Sequence, residues 1–479
     1  VASRRDLYQS YQSSVRRLVA GVVLREADPA QSPLRRMGGA VFGSVMVAVL
    51  SLAVAGLIGV LSPGGNTTWQ DAGAVVVEEG TGARFAWLAD EDGVYHLHPV
   101  TNLATAALLM GTTEIVEVSP ESLAGAPRGV RLGIPGAPDS LPAPDRLLGA
   151  PWTLCSAAPL PGSGSLVPDT VLVVGRSADS GDPVGGEAAV LVRVVQDGSL
   201  HLVLGGRQYP VPQEDAVLEG LSLRGANEVQ VGAAWLDALP QGRALVPEPA
   251  EGRGEPSAVL PETRVGEVRY VDGGAGRQWY QVTRTGIQEI TPVQADLLLA
   301  DPAVRDTAYA GREPEALALP AAVANSLERT VAPEPTPLDP PAQAPSAAEV
   351  AGPDSSVCAS FDGDSGLPTV SVQAVVDEGD SVVDSGGTTA DGTVLADRVV
   401  VQPGAGALVS ARGADGAVDG TLYLVTDEGV RYLVPSPEVQ AVLGYGEVQP
   451  VVLPSSLVAR VLAGPALDQD DARLPAGRG

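Results

Sequence analysis

The chain has 479 residues, enough for about three domains at ~150 residues each. Its 57 glycines and 41 prolines predict many short strands and turns, and 30 basic against 58 acidic residues leave a net charge of −28, a field that repels nucleic acid. Every basic residue is arginine, and the absence of lysine excludes Schiff-base chemistry, pyridoxal-phosphate anchoring and the P-loop lysine.

Residues 1–36 read as a cytoplasmic stub. They hold seven arginines against three acidic residues, and Tyr11, Val15, Leu18, Val22 and Arg25 recur at the spacing of one helix stripe. That stripe needs a cover, either the anionic inner leaflet or a cytoplasmic partner. Residues 37–61, MGGAVFGSVMVAVLSLAVAGLIGVL, carry no charge. As a helix they reach about 37 Å, more than a hydrocarbon core of about 30 Å, so they predict a single transmembrane helix. Gly39 and Gly43 stand at the small-xxx-small spacing. The basic stub places the N-terminus inside and the acidic remainder outside. A cleaved signal peptide is the competing account; it fits poorly with so long an apolar run and a sequence, SPGGNTTW, lacking an A-x-A exit. Residues 62–82 read as a linker.

Four heptapeptides share an initial glycine and a final proline: GVYHLHP (Gly93 to Pro99), GRQYPVP (Gly206 to Pro212), GIQEITP (Gly286 to Pro292) and GVRYLVP (Gly429 to Pro435). An alternating apolar run ending in a charged turn precedes three of the glycines, the shorter LHLVLGG leads into the GRQYPVP unit, and a helix-like stretch follows each proline, so each reads as a ββα unit with glycine at the turn and proline as the strand stop. The expected repeats are 83–112, 196–225, 266–302 and, with the C-terminal tail, 416–479. Such a unit cannot bury a sheet face and a helix face alone, and the uneven spacing argues for four modules on a common platform, not a solenoid. TVLVVG at 170–175, AVLVRVV at 189–195, TVSVQAVV at 369–376 and VLADRVVV at 394–401 supply that platform, a central β-rich domain in two parts, 113–195 and 355–415. Between them 331–354, with seven prolines, reads as an extended linker that wraps the surface.

Cys155 and Cys358 are the two cysteines. An even count in an oxidising compartment argues for a disulfide, two buried thiols being the alternative. Metal ligation lacks a third ligand: His96 and His98 share a strand face, but the equivalent positions of other repeats are Tyr209 and Val211, or Tyr432 and Val434. GDSG at 363–366 resembles a protease nucleophile loop without a fitting histidine base, Asp362 and Asp364 with Gly366 are only a fragment of a calcium loop, and GGAG at 273–276 precedes a strand, not a helix. No cofactor is expected.

The ordered sequences ASRRDLYQSYQ, LREADPAQSPLRR, LHPVTNLATA at 97–106, LGIPGAP at 132–138, PWTLC at 151–155, PGAGALV at 403–409, RYLVPSPEVQAVLGYG and GPALDQDDAR together resemble the EccB family, the core membrane component of the type VII (ESX) secretion system of actinobacteria. The resemblance implies a subunit joined to the FtsK-like ATPase EccC and to EccD and EccE, with a disulfide between Cys155 and Cys358, self-associating outer domains, and a stub that contacts cytoplasmic subunits, for which Tyr11, Arg16, Arg17 and Leu18 are the docking residues. An ATP-hydrolysing role is also associated with the family, but no Walker motif is present. The expected fold is α+β: an N-terminal helix and a transmembrane helix, then an elongated extracytoplasmic region of four ββα repeats around a central β-rich domain. The expected function is that of a structural subunit of a secretion channel in the cytoplasmic membrane; the alternative is an enzyme, ATP-hydrolysing or cell-wall-active.

Overall fold

A computed structural model describes residues 3–24, 33–61, 67–158, 167–274, 276–332, 334–363, 366–377, 379, 381–413 and 420–477; side chains of the first two helices are described for 3–22 and 38–54. Arg25 of the stub stripe, the ends of the expected span, and the centres of GDSG and GGAG lie outside the residues so described. The chain divides into two compact units, one of Val1–Ala72, Val77–Gly82 and Glu117–Ala126, the other of Gly73–Val76, Ala83–Val116 and Pro127–Gly479.

The first unit holds two long helices, Arg4–Leu24 and Pro33–Leu61. The first opens on a reciprocal cap: the Ser3 N–H donates to Asp6 Oδ2 at 3.0 Å and the Asp6 N–H to Ser3 Oγ at 3.4 Å. Its apolar stripe, Leu7, Tyr8, Tyr11, Leu18 and Val22, is exposed, as are Val41, Phe42, Met46, Leu50 and Leu52 on the second helix. Among the described residues, no helix is long and apolar enough to cross a membrane.

The second unit is built on a seven-stranded sheet in the order Val382–Asp384, Arg398–Val400, Asp169–Val173, Trp152–Ala157, Val357–Phe361, Thr369–Val372, Asp182–Pro183. Each Gly-to-Pro heptapeptide contributes to a separate sheet. The fourth runs Gly406–Arg412, Thr421–Thr426 and Val430–Leu433 as an antiparallel meander, followed by the helix Pro437–Val442. Val451–Pro454 then pairs parallel with the first strand, the short helix Ser455–Val458 crosses back, and Leu462–Ala463 pairs parallel with the third. The third follows the same path, with Leu317–Ala318 beside Val268–Gly273 and Glu328–Thr330 beside Gly286–Ile290. In the second, Glu228–Val231 lies parallel to Ala188–Val194, and Gln241 bridges parallel to Gln208 on the third strand. In the first, the hairpin of Arg84–Ala89 with Tyr95–Pro99 is followed by the helix Leu103–Met110 and a parallel bridge from Leu97 to Arg128.

The unit is therefore longer than the ββα element expected from the sequence. A strand precedes the hairpin, and in the second, third and fourth sheets two parallel returns follow the helix. These returns span two to four residues each in the third and fourth sheets, too few for alternation to register. The strand Ala188–Val194, expected in the platform, is instead the opening strand of the second of these sheets. It is buried on both faces: Val190, Val192 and Val194 meet the central core, while Ala189 and Leu191 meet the helix-side core with Leu202 and Val217.

One cluster, including Trp152, Leu154, Val190, Trp235, Val409 and Leu457, joins the central sheet to the second and fourth repeat sheets. A second cluster joins Val217 and Leu221 to Val293 and Leu297, packing the helix Glu214–Gly220 on Pro292–Ala300. The helices Leu103–Met110 and Pro437–Val442 touch in the same way. Within this unit the contacts thus run third, second, centre, fourth, first. The proline-rich segment is fastened down along this line: the Arg243 N–H donates to Leu338 O at 2.7 Å, Ser346–Ala347 pairs with Ala188–Ala189, the Gln230 N–H donates to Pro353 O at 2.9 Å, and Val350 is buried.

Gly93, Gly206 and Gly429 take φ of +77°, +76° and +68°, the left-handed conformation a tight hairpin needs. Gly286 does not. It opens a strand after the turn at Thr283, and a Cβ there would lie 2.1 Å from the Glu328 carbonyl oxygen of the neighbouring parallel strand. Its role is close backbone approach, not turn conformation. Gly286→Ala is expected to cost about 1–3 kcal/mol through overpacking, read as a fall in the urea midpoint; an unchanged midpoint refutes the close-approach account. The prolines differ too: Pro99 ends a strand, Pro212 and Pro435 stand in connections, and Pro292 opens a helix capped by Thr291.

Candidate functional site: the bridged platform and its junctions

The two middle strands of the central sheet carry the cysteines. Trp152–Ala157 and Val357–Phe361 are antiparallel with Cys155 directly opposite Cys358, and their sulfurs are bonded across a Cα separation of 4.0 Å. Both residues are buried, against Ala374 and the partly buried Ala178 and Val376. The bond closes a sequence separation of 203 residues, inside which the second and third repeat sheets and the fastened proline-rich segment all lie.

Two junctions hold repeats to this platform. From the second sheet, the helix Ala233–Ala238 sends Trp235 fully into the central core, where its indole N–H donates to Leu154 O at 3.1 Å. Facing it, the helix Ser455–Val458 of the fourth sheet brings the Ser456 hydroxyl to Ala238 O at 2.8 Å. Arg460, almost wholly buried, donates through Nη1 to Val394 O at 2.6 Å and through Nε to Ser456 O at 3.0 Å. Asp237 Oδ2 lies 3.6 Å from the same guanidinium. Partial desolvation raises the pKa of the half-exposed Asp237 carboxyl, and burial lowers that of Arg460, since each disfavours the charged form. A second polar knot sits across the second sheet, where Arg193 is held by Glu228 and Glu214 at 2.6 and 2.9 Å; its pairing raises the guanidinium pKa and lowers that of Glu214.

The structure brings Cys155 and Cys358 together, whereas Gly93, Gly206, Gly286 and Gly429, with their prolines, belong to the segments of four separate sheets. On the stub helix Tyr11 and Leu18 share the exposed stripe, and Arg16 and Arg17 lie exposed beside it. His98 Nδ1 lies 2.9 Å from Val130 O and His96 lies 3.6 Å from Asp90. Among the described residues no group of three His, Cys, Asp or Glu side chains could hold a metal ion. Trp235, Asp237, Ser456 and Arg460 were not singled out from the sequence. Their signal is a second recurring pattern: VSPESLA, VGAAWLDA, LPAAVANS and LPSSLVAR each run from a short strand into a helical turn.

Four like-built sheets on a disulfide-bridged platform, preceded in the chain by two helices with exposed apolar faces, define a repeat-built scaffold subunit. The family model described as "Type VII secretion system ESX-1, transport TM domain B" matches residues 2–477, and the chain belongs to this family, EccB. It is 28% identical over 482 residues to the ESX-3 secretion system ATPase EccB3 of Mycolicibacterium smegmatis, covering 96% of this chain and 88% of that one. It is 28% identical to the ESX-2 secretion system ATPase EccB2 of Mycobacterium tuberculosis, covering 92% and 88%. Among solved structures, the EccB3 dimer from the ESX-3 core complex superimposes with a TM-score of 0.59 at 26% identity, over 84% of this chain and all of that one. A chain of an intact ESX-5 inner membrane complex shares the fold at TM-score 0.59 and 22% identity, over 100% and 96%.

Proposed function

We propose that this protein is a structural subunit of an ESX secretion membrane complex, anchored once in the cytoplasmic membrane by residues 37–61, with its stub inside and its repeat-bearing body outside. The observation that carries the reading is the contrast across the apolar helix: an arginine-rich helix with an uncovered stripe before it, and an acidic, disulfide-bonded body after it. A buried disulfide suits an oxidising compartment, and the positive flank suits the inner face. The body associates with further copies of itself, as the EccB3 of the ESX-3 core complex forms a dimer. The stub docks on the cytoplasmic parts of EccC, EccD and EccE through Tyr11, Arg16, Arg17 and Leu18, with lipid headgroups as the neighbouring surface.

The relatives' names include "ATPase". In this chain, which has no lysine and no Walker motif, the energy for transport is assigned to EccC. ATP turnover by the purified chain that vanishes on one mapped substitution would establish the enzymatic reading instead. The docking role has its own test: deletion of residues 3–24 is expected to leave the body folded, by circular dichroism and non-reducing electrophoresis, while copurification with the ATPase subunit is lost. Undiminished copurification refutes it.

A further inference from the structure

His201, one of three histidines in the chain, stands on the strand Leu200–Leu204. It shares a sheet face with Val203, which packs in the central core with Trp235 and Leu236. Its hydrogen bonding fixes the tautomer of the neutral ring. The Ser199 hydroxyl donates to Asp197 Oδ1 at 2.7 Å, so Ser199 Oγ, 3.2 Å from His201 Nε2, can only accept there, and Nε2 carries the ring proton. The other ring nitrogen, Nδ1, is buried without a hydrogen-bond partner, and so is Oε1 of Gln208, whose amide nitrogen is committed to Leu236 O at 3.1 Å. His201 lies opposite Pro210, two residues from Gln208, which makes the two side chains diagonal neighbours on one face. One added proton on Nδ1 supplies the donor that both atoms lack.

The charged groups around the ring are Asp197 from the hairpin turn and Asp237 from the helix Ala233–Ala238, and Asp237 is the carboxylate beside Arg460 of the fourth sheet. We propose that His201 is an acid sensor that loosens the junction between the second and fourth repeat sheets: proton uptake at Nδ1 places a half-buried cation within electrostatic reach of Asp237, which then divides its attraction between His201 and Arg460. Burial works against the charged ring and holds its pKa below the ordinary 6.5, with Gln208, Asp197 and Asp237 opposing. A pKa depressed by folding gives stability that is present above 6.5 and lost as pH falls through the folded value. Asp237 does not add to this: desolvation raises its carboxyl pKa, so its own protonation favours the folded state as pH falls. With the body outside the membrane, as proposed above, this junction meets the pH of the surroundings.

The test uses the full chain in detergent with selectively labelled histidine, whose three imidazole signals are assigned by His96→Gln, His98→Gln and His201→Gln. The expected result is a His201 midpoint below 6.5. Amide exchange of residues 233–238 and 455–461, corrected for its intrinsic pH dependence, should rise severalfold as pH falls from 7.5 through that midpoint, and stay level in the His201→Gln protein. A midpoint at or above 6.5, a rise at a different pH, or the same rise in His201→Gln overturns the proposal. Should that variant fail to fold, the wild-type midpoint and the pH of the exchange rise, with assignment from the other two variants, still decide it.

Discussion

Replacement of Cys155 and Cys358 by alanine, or reduction of their bond, is expected to destabilise the repeat-bearing body by about 5 kcal/mol. That figure is the loop-closure entropy the bridge removes from the unfolded chain for a loop of about 200 residues. Neither cysteine makes another bond whose loss would compete with this effect, and both are buried among small or aliphatic neighbours that tolerate alanine. The native strands remain paired without the bridge, because Val357–Phe361 and Trp152–Ala157 are joined in register from Val357 opposite Ser156 to Phe361 opposite Trp152. The folded structure should therefore survive while its margin shrinks. Thermal unfolding of the oxidised and reduced protein is the measurement: a fall of roughly 5 °C is expected for a body this large. Indistinguishable transitions would mean that the unfolded chain is already held by residual structure, and that the bridge does not staple the platform.

The sequence announced the hairpins and withheld what surrounds them. Glycine at a positive-φ turn followed by an alternating strand is a local signal, and Gly93, Gly206 and Gly429 stand where such a signal puts them. Gly286 carries the same letter for a different reason, the approach of Glu328 from a strand some forty positions later, and nothing near Gly286 in the chain encodes that distance. The parallel returns were hidden for a related reason. Leu317–Ala318 and Leu462–Ala463 span two residues each, and their strand character comes from the ladder they complete, not from propensity. Ala188–Val194 read as platform because it is apolar on both faces; double burial erases the alternation that would have distinguished a repeat strand from a central one. The cysteines were legible by arithmetic, whereas the junction of Trp235, Asp237 and Arg460 needed alignment of the second pattern, in which polar and apolar residues share positions. Two motifs of the family resemblance coincide with a strand end and a helix cap: LHPVTNLATA holds Pro99 and the capping Asn102, and RYLVPSPEVQAVLGYG holds Leu433 and the capping Ser436.

Trp235→Ala is expected to be the most damaging single substitution at the junctions. The side chain is wholly buried in the cluster that holds the central sheet to the second and fourth repeat sheets, and truncating a large buried aromatic costs about 3–5 kcal/mol. The Leu154 carbonyl also loses its indole donor within a dry interior, which adds about 1 kcal/mol or more. Trp235→Phe separates these contributions, since it keeps most of the packing and removes the donor; its expected cost is about 1–2 kcal/mol. The damage should not stay local. The helix bearing Trp235 also carries Asp237 and Ala238, the partners of Arg460 and Ser456, so a cavity beneath it loosens both sides of the junction at once. Denaturant unfolding should show a lower midpoint for Trp235→Ala, and exchange protection in residues 455–461 should fall with that in 233–238. Loss confined to 233–238 would show that the fourth sheet is held to the platform independently, through its own core residues such as Ala407, Val409, Val425 and Leu457.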